Sequence, residues 1–232
     1  MSLRRKTEAE DDGDSEDWLA TYADAITLLM AFFVMLVSFS KVDLPMFEQV
    51  QAGIKEYVGG EEDPTKTPIF ELQSIISSAV QDADDIPPES IDVGFDDEGV
   101  VIDFGSGSFF EKGTATIVEP AKLILKKIRR ELQEPPYDLF MVDVEGHTDS
   151  DPLPGSSAYP SNWELSAARA AAVVRFLIGD GIDPERMKAS GYANTKPKVK
   201  EEDVMGNPLP ENKAINRRVT IRLFPAFVNN DL

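Results

Sequence analysis

The hydrophobic positions of this 232-residue chain fall into three regions with different periodicities. An uncharged apolar run covers 25–39, and apolar residues extend it back to Trp18. A helix over 18–40 would reach roughly 33 Å, enough to cross a hydrocarbon core of about 30 Å. Apolar residues at helical spacing follow in 41–60, and from residue 91 onward strand-like and helix-like patterns alternate. The pattern predicts one membrane span followed by a folded C-terminal domain.

The flanks of the apolar run set its expected orientation. Residues 38–43 (SFSKVD) lack the small residues of a signal-peptide cleavage site, so we favour a retained span over a cleaved leader. The preceding tail, 1–17, carries the basic cluster Arg4–Lys6 and then an acidic run. Basic residues stay inside, and acidic residues contribute little to this bias. We expect a cytoplasmic tail, one pass through a bacterial inner membrane, and a periplasmic C-terminal region.

One carboxylate lies within the predicted span. On a helix, Asp24 belongs to a stripe of small and polar residues, as expected of a helix that packs against other membrane helices. A carboxylate at mid-membrane costs about 2.5–3.5 kcal/mol and usually serves ion or proton transfer. The alternative is an interfacial carboxylate favoured by the helix N-terminus. The other members of the stripe are Thr21, Thr27, Leu28, Ala31 and Ser38.

Two segments lead from the span to the folded domain. In 41–60, Asp43 and Pro45 predict a helix start and Gly59-Gly60 its end. This helix is either an amphipathic segment that covers another surface or a helical continuation of the span. Residues 61–90 are charged and contain proline, which predicts a linker with a helix over 69–80. The apolar face of 41–60 comprises Leu44, Phe47, Val50, Ile54 and Val58.

Residues 91–225 predict an α+β domain, an α/β sandwich in which helices pack on one sheet, and a short tail covers 226–232. We expect a surface loop over 198–213, with little effect on the binding site. The predicted strands are 100–105, 139–146, 187–193 and 217–224, and the predicted helices are 119–131 and 162–178.

Polar side chains are expected at strand and helix ends of this domain. Asp149 directly follows a strand, while Asn162, Leu165 and Arg169 fall on successive turns of one helix face. A carboxylate and a guanidinium on a rigid scaffold can bind the two ends of a zwitterion, Asp149 the ammonium and Arg169 the carboxylate. The alternative is an internal salt bridge between Asp149 and Arg169.

Composition excludes several functions. A net charge of −19 leaves no basic footprint for nucleic acid, and the absence of cysteine excludes disulfides and thiol catalysis. The single histidine, His147, provides no metal cluster. His147, Asp149 and Ser150 suggest a catalytic triad, but a triad needs a base that is oriented by a carboxylate and touches a nucleophile. Neighbours on a strand point to opposite faces, so His147 and Thr148 do not cooperate by adjacency. The chain is therefore not expected to be an enzyme, and no metal or other cofactor is expected.

Motifs at both ends resemble known families. The span WLATYADAITLLMAFFVMLVSFSKVD resembles the membrane segment of MotB/PomB stator subunits, with their aromatic-Ala-Asp triplet. That resemblance implies that Asp24, supported by Tyr22 and Thr27, binds and releases a coupling ion, and that 41–60 is a plug against ion leak. GHTD, N-x-x-L-S-x-x-R-A, G-Y-A and N-R-R-V resemble OmpA-like peptidoglycan-binding domains. Residues matching that family's contacts to diaminopimelate in the stem peptide are Thr148, Asp149, Asn162, Leu165, Arg169, and Arg217 or Arg218.

Together the resemblances imply a wall-anchored stator subunit of the bacterial flagellar motor. It would be a homodimer within a ring of MotA/PomA-type membrane subunits at the flagellar basal body, turning proton or sodium flow into torque. Two alternatives are a purely structural wall anchor and an ion-driven energiser of another envelope machine. The sequence leaves open which ion is transported, which protein is the partner and how the plug is released.

Overall fold

The computed structural model describes residues 17–39, 45–48, 68–81, 87 and 90–226. The chain divides into two units, Met1–Val42 and Asp43–Leu232. The first contains helix α1, Asp17–Phe39, of which Trp18–Ser38 is long and apolar enough to cross a membrane, with a mean hydropathy of 1.9. The helix predicted over 18–40 is therefore present. The tail up to residue 16, the plug residues Leu44, Val50 and Ile54, and the end of the C-terminal tail lie outside the described residues.

A five-stranded sheet with order β1-β2-β5-β3-β4 forms the centre of the second unit. Strands β3 and β4 are parallel, and the other neighbours are antiparallel. Four strands match the predicted ones, and the edge strand β1 was missed. The strands are β1 Ile91–Phe95, β2 Val100–Gly105, β3 Phe140–Gly146, β4 Met187–Gly191 and β5 Arg218–Pro225.

Helices cover one face of this sheet, so the predicted α/β sandwich is confirmed. In the second helix, Ile69, Leu72 and Ile76 are fully buried in the core, because their spacing places them on one face. The helix predicted within the linker thus contributes to the domain core. The helices are α2 Pro68–Gln81, α3 Ser106–Phe109, α4 Glu119–Glu131, α5 Asn162–Gly179 and α6 Pro210–Asn216.

The other face of the sheet is polar. Strand side chains alternate between faces, so Ile221 enters the core while its neighbours Thr220 and Arg222 point away from it. Arg222 lies 2.7 Å from Asp96, and Thr220 donates to Asp103 across the β2–β5 pair. An ion pair and a hydrogen bond therefore link β5 to β2 and to the turn that follows β1 on this face.

Two glycines let α5 approach the sheet closely. Gly146 and Gly191 are register partners at the ends of β3 and β4. A Cβ atom at Gly146 would lie 2.0 Å from the carbonyl oxygen of Ser166, and one at Gly191 would lie 2.6 Å from the amide nitrogen of Ala167. The backbone of α5 thus rests directly on these strand ends, where the predicted wall site begins.

Residues 45–48 are helical and contact the start of α2. The Glu48 carboxylate accepts hydrogen bonds from the amides of Ile69 at 3.1 Å and Phe70 at 3.3 Å, which satisfies amide groups in the first turn of α2. Burial raises the pKa of Glu48, although these two amides act in the opposite direction. Pro45 is buried, whereas Phe47, predicted for the plug face, is 61% exposed.

Candidate functional site

The polar stripe of α1 satisfies part of its hydrogen bonding within the helix. Thr27 donates its hydroxyl to the carbonyl oxygen of Asp24 at 2.8 Å, and Ser38 donates to that of Val34 at the same distance. Tyr22 lies one turn from Trp18, with ring centroids 6.3 Å apart. Tyr22, Asp24 and Thr27 are thus neighbours in one stretch of the helix, and all three are exposed.

Asp149 lies just beyond the end of β3 and is only 7% exposed. Its Oδ2 accepts a hydrogen bond from the Nη1 of Arg217 at 2.6 Å. Arg217 directly precedes β5, the antiparallel neighbour of β3, so the sheet itself brings the two residues together. The carboxylate is therefore held in place by a charge-assisted hydrogen bond.

Arg169 is the buried cation of the site, at 5% exposure. Its Nε donates to the carbonyl oxygen of Thr114 at 2.9 Å, and its guanidinium lies over the Phe110 ring, 5.2 Å from the centroid. Burial lowers the pKa of Arg169, while the nearby charges of Tyr159 and Asp149 favour its charged form. Within the part of the chain that the structure describes, its two terminal nitrogens donate to no protein acceptor, so both remain available for a bound carboxylate.

The structure therefore pairs Asp149 with Arg217 and not with Arg169. The alternative, an internal salt bridge between Asp149 and Arg169, is absent among the described residues. This leaves the buried guanidinium without a carboxylate partner, which is the arrangement that a zwitterion-binding site needs.

Three more predicted residues shape the turn that carries Asp149. The amide of Thr148 donates to the carbonyl oxygen of Ala193 at 2.9 Å, and its hydroxyl donates to the carbonyl oxygen of Asp149 at 2.9 Å. Asn162, at the start of α5, donates to the carbonyls of Asp151 at 2.9 Å and Asp149 at 3.4 Å. Leu165 is buried one turn before Arg169. These contacts fix the turn against the helix.

Arg217 and Arg218, which the sequence left as alternatives, separate to opposite sides. Arg217 lies at the site with its side chain 44% exposed. Arg218 begins β5 and points to the polar face, where its Nε lies 3.5 Å from the Oδ1 of Asp103 and its Nη2 donates to the carbonyl of Lys196. Neighbouring strand residues point to opposite faces, so only Arg217 joins Asp149.

His147 is a structural residue of the polar face, at 1% exposure. Its ring stacks on Tyr192 with centroids 5.6 Å apart, and its Nε2 lies 3.4 Å from the Oε2 of Glu145. Burial lowers the pKa of His147 despite the Glu145 carboxylate. The hydroxyl of Ser150 donates to Glu201 and not to His147. No nucleophile–base pair is therefore assembled here among the described residues.

Sequence reasoning missed the part that 198–213 plays beside the site. Glu201 accepts hydrogen bonds from the amide of Ser150 at 3.0 Å and from its hydroxyl. Lys213 forms an ion pair with Asp151 at 2.5 Å. The segment was expected to have little effect on the site, but it braces the residues that follow Asp149. The sequence contains the charged residues Glu201 and Lys213, but it does not indicate that they contact Ser150 and Asp151.

Comparison with known proteins gives consistent results for both units. Residues 4–57 match the family described as membrane MotB of the proton-channel complex MotA/MotB, and residues 109–207 match the OmpA family. The uncharacterized protein YtxE of Bacillus subtilis is 32% identical, over 94% of this chain and 92% of its own length. Motility protein B of the same organism is 28% identical, over 97% of each chain.

Solved structures show the same fold. The periplasmic domain of Helicobacter pylori MotB is 28% identical, with a TM-score of 0.51 over 62% of this chain and 83% of that one. The cell wall anchor of the T6SS from Pseudomonas aeruginosa is 26% identical, with a TM-score of 0.54 over 66% of this chain and 96% of that one. The domain architecture thus occurs both in a motility protein and in a wall anchor of a different machine.

Proposed function

This chain belongs to the MotB family of peptidoglycan-anchoring stator subunits with an OmpA-like domain, and from that premise we propose that it conducts ions for a flagellar motor. It would act as a single-pass inner-membrane protein with its C-terminal domain in the periplasm. Its partners would be a second copy of itself, a MotA/PomA-type subunit and the peptidoglycan. No cofactor is needed beyond the transported proton or sodium ion.

The wall-binding half of the proposal is carried by the arrangement of Asp149 and Arg169. Diaminopimelate presents an ammonium and a carboxylate on the same carbon. The Arg169 guanidinium is held by Thr114 and Phe110. Its two terminal nitrogens, which have no acceptor among the described residues, match a carboxylate in a bidentate manner. Asp149, nearly buried and negatively charged, supplies the acceptor for the ammonium. Arg217 orients this carboxylate from the rim.

The ion-coupling half rests on Asp24. Its helix is apolar along its length, and large side chains such as Leu28, Met30 and Val37 are exposed. A lone helix of this kind needs lipid or other helices around it, and its small and polar stripe suits packing against helices. Asp24 lies in that stripe, where a carboxylate is costly, and carboxylates at such positions usually serve ion or proton transfer. Loading and release of an ion at Asp24 would change the charge of a dry site and shift the partner's conformational equilibrium.

Swimming of stator-deleted cells tests the proposal. The cells would express the full chain with its cognate partner subunit, as wild type, Asp24→Asn or Asp17→Asn, at equal membrane levels. We expect wild type and Asp17→Asn to restore swimming and Asp24→Asn to abolish it, because an amide cannot exchange the ion. Repeating the assay with and without sodium identifies the ion. Normal swimming with Asp24→Asn would refute the coupling role.

A second function, anchoring another envelope machine, is favoured by the similarity to the type VI secretion wall anchor. This function would be supported if the chain restored no swimming with any stator partner but sedimented with purified peptidoglycan sacculi. In that case Asp149→Asn should still abolish sedimentation, and Asp24→Asn should leave it unchanged.

A further inference from the structure

A basic cleft lies between α4 and α5, on the helical side of the domain. It has a volume of about 640 Å³, and its charged lining residues include Lys122 and Lys126 from α4 and Arg175 from α5. Ile117 and Phe176 form part of its apolar wall. The cleft thus combines cationic groups with apolar surface, as sites for a small organic anion commonly do.

The cations of this basic cleft are not all neutralised. Lys122 pairs with the exposed Glu119 at 2.6 Å, and the Asp180 carboxylate at the edge of the cleft pairs with Arg129 at 2.8 Å. Among the described residues, neither Lys126 nor Arg175 makes a side-chain hydrogen bond or ion pair. Two unpaired cations in one cleft would attract an anion.

The basic cleft lies beside the segment that holds Arg169. Arg169 donates to the carbonyl oxygen of Thr114, and the next residues of that segment, including Thr116 and Ile117, line the cleft. Along α5, Phe176 follows Arg169 by seven residues, or about 10 Å of helix axis, on the same helix face. An extended ligand held at Arg169 would therefore pass along α5 into the cleft.

We propose that the basic cleft binds a second anionic group of the same wall polymer whose diaminopimelate is held at Asp149 and Arg169. This inference rests on the proposed wall binding. A stem peptide carries several carboxylates along an extended backbone, and three residues span about 10 Å. This length matches the axial offset from Arg169 to Phe176 in the cleft wall, so a carboxylate of the peptide can enter the cleft lined by Lys126 and Arg175 while the diaminopimelate stays in place. A phosphate of a wall-linked polymer has the same chemistry and is the second possible source.

Isothermal titration calorimetry of the full chain in lipid nanodiscs tests the cleft. The probes are free diaminopimelate, a muropeptide with a free glutamate carboxylate, and the same muropeptide with that carboxylate amidated. We expect Lys126→Gln/Arg175→Gln to weaken binding of the free-carboxylate muropeptide roughly three- to tenfold, as for two exposed ion pairs. Binding of diaminopimelate and of the amidated muropeptide should not change. Arg130→Gln, which removes an exposed cation from another part of α4, is the matched control.

Sedimentation with sacculi distinguishes the two anion sources. If the double variant loses affinity only for sacculi that retain phosphate polymer, and the loss disappears when the polymer is stripped, the phosphate is the bound anion. The inference would be overturned if the double variant bound all the muropeptides and the phosphate-bearing sacculi as wild type does, or if it lost equal affinity for the free and the amidated muropeptide. Asp149→Asn provides the separate control for the wall site. If Asp149→Asn still binds diaminopimelate as wild type does, the proposed wall function fails irrespective of the cleft.

Discussion

Gly146→Ala would place a methyl group between the end of β3 and the backbone of α5. The new Cβ would lie 2.0 Å from the Ser166 carbonyl oxygen, whereas Cβ atoms essentially never come within 3.0 Å of another heavy atom. The obstructing atoms are main chain, so no rotamer change can relieve the contact. α5 must therefore move away from the sheet by at least 1 Å.

The magnitude has a stability part and a binding part. Overpacking of this kind costs about 1–3 kcal/mol, which corresponds to a Tm lowered by about 3–10 °C in a domain of this size. α5 also carries Arg169, while Asp149 stays with β3. A displacement of about 1 Å breaks one charge-assisted hydrogen bond to a ligand held between them, worth about 1.5–3 kcal/mol. We expect diaminopimelate to bind roughly 10- to 100-fold more weakly.

Thermal denaturation and calorimetric titration of the full chain measure both parts. Gly94→Ala, in the edge strand β1, is the matched control, because a Cβ there meets no atom within 4 Å. It should melt at or above the wild-type temperature and bind normally. If Gly146→Ala melts and binds like the control, the close approach of α5 does not position the site, and the reasoning is wrong.

Two further predictions concern the adjacent arginines and the buried histidine. Arg217→Gln should weaken diaminopimelate binding severalfold in a titration while lowering Tm little, since half-exposed ion pairs contribute only about 0–1 kcal/mol to stability. Arg218→Gln should lower Tm and leave diaminopimelate binding unchanged, because it removes a buried partner of Asp103, at a cost of about 1–3 kcal/mol of stability. Burial lowers the pKa of His147 below its usual 6.5 in the folded chain, so the unfolded chain binds a proton at this side chain more tightly than the folded chain does. The folded state therefore has its full stability above pH 6.5 and loses stability as the pH falls below 6.5. Urea denaturation at pH 7.5 and 5.5 should show a smaller loss of stability for His147→Gln than for wild type, and equal losses would contradict this account.

Hydrophobic periodicity was sufficient to predict the long helices α1, α2, α4 and α5 and four of the five strands. The short helices α3 and α6 were not predicted, and α6 covers the end of the segment 198–213 that was expected to be a surface loop. α4 and α5 carry long amphipathic patterns with clear starts, Pro120 in one and the Ser161 cap in the other, so their bounds were predictable from local sequence. β1 has only five residues, of which Asp92 and Gly94 disfavour a strand, and it is held by pairing with β2. Its existence therefore depends on tertiary structure.

The site was predictable in its residue types but not in its pairing. The spacing of Asn162, Leu165 and Arg169 on one helix face follows from local geometry. Whether Asp149 pairs with Arg169 or with Arg217 depends on how β3 and β5 align across a separation of 68 residues. The same holds for Glu201 and Ser150, which are 51 residues apart. Long-range register determines such contacts, and periodicity contains no information about it.

The hydrogen bond from Ile69 to Glu48 also limits how far the chain can stretch. The two residues are 21 positions apart, and that length of chain extended would span about 70 Å, yet the bond holds its ends 3.1 Å from each other. While this hydrogen bond is intact, the residues between Glu48 and Ile69 add almost nothing to the distance between Glu48 and the sheet. Breaking this single contact of the Glu48 carboxylate would therefore allow the two ends of the segment to separate by up to about 70 Å, while the strands of the sheet stay paired.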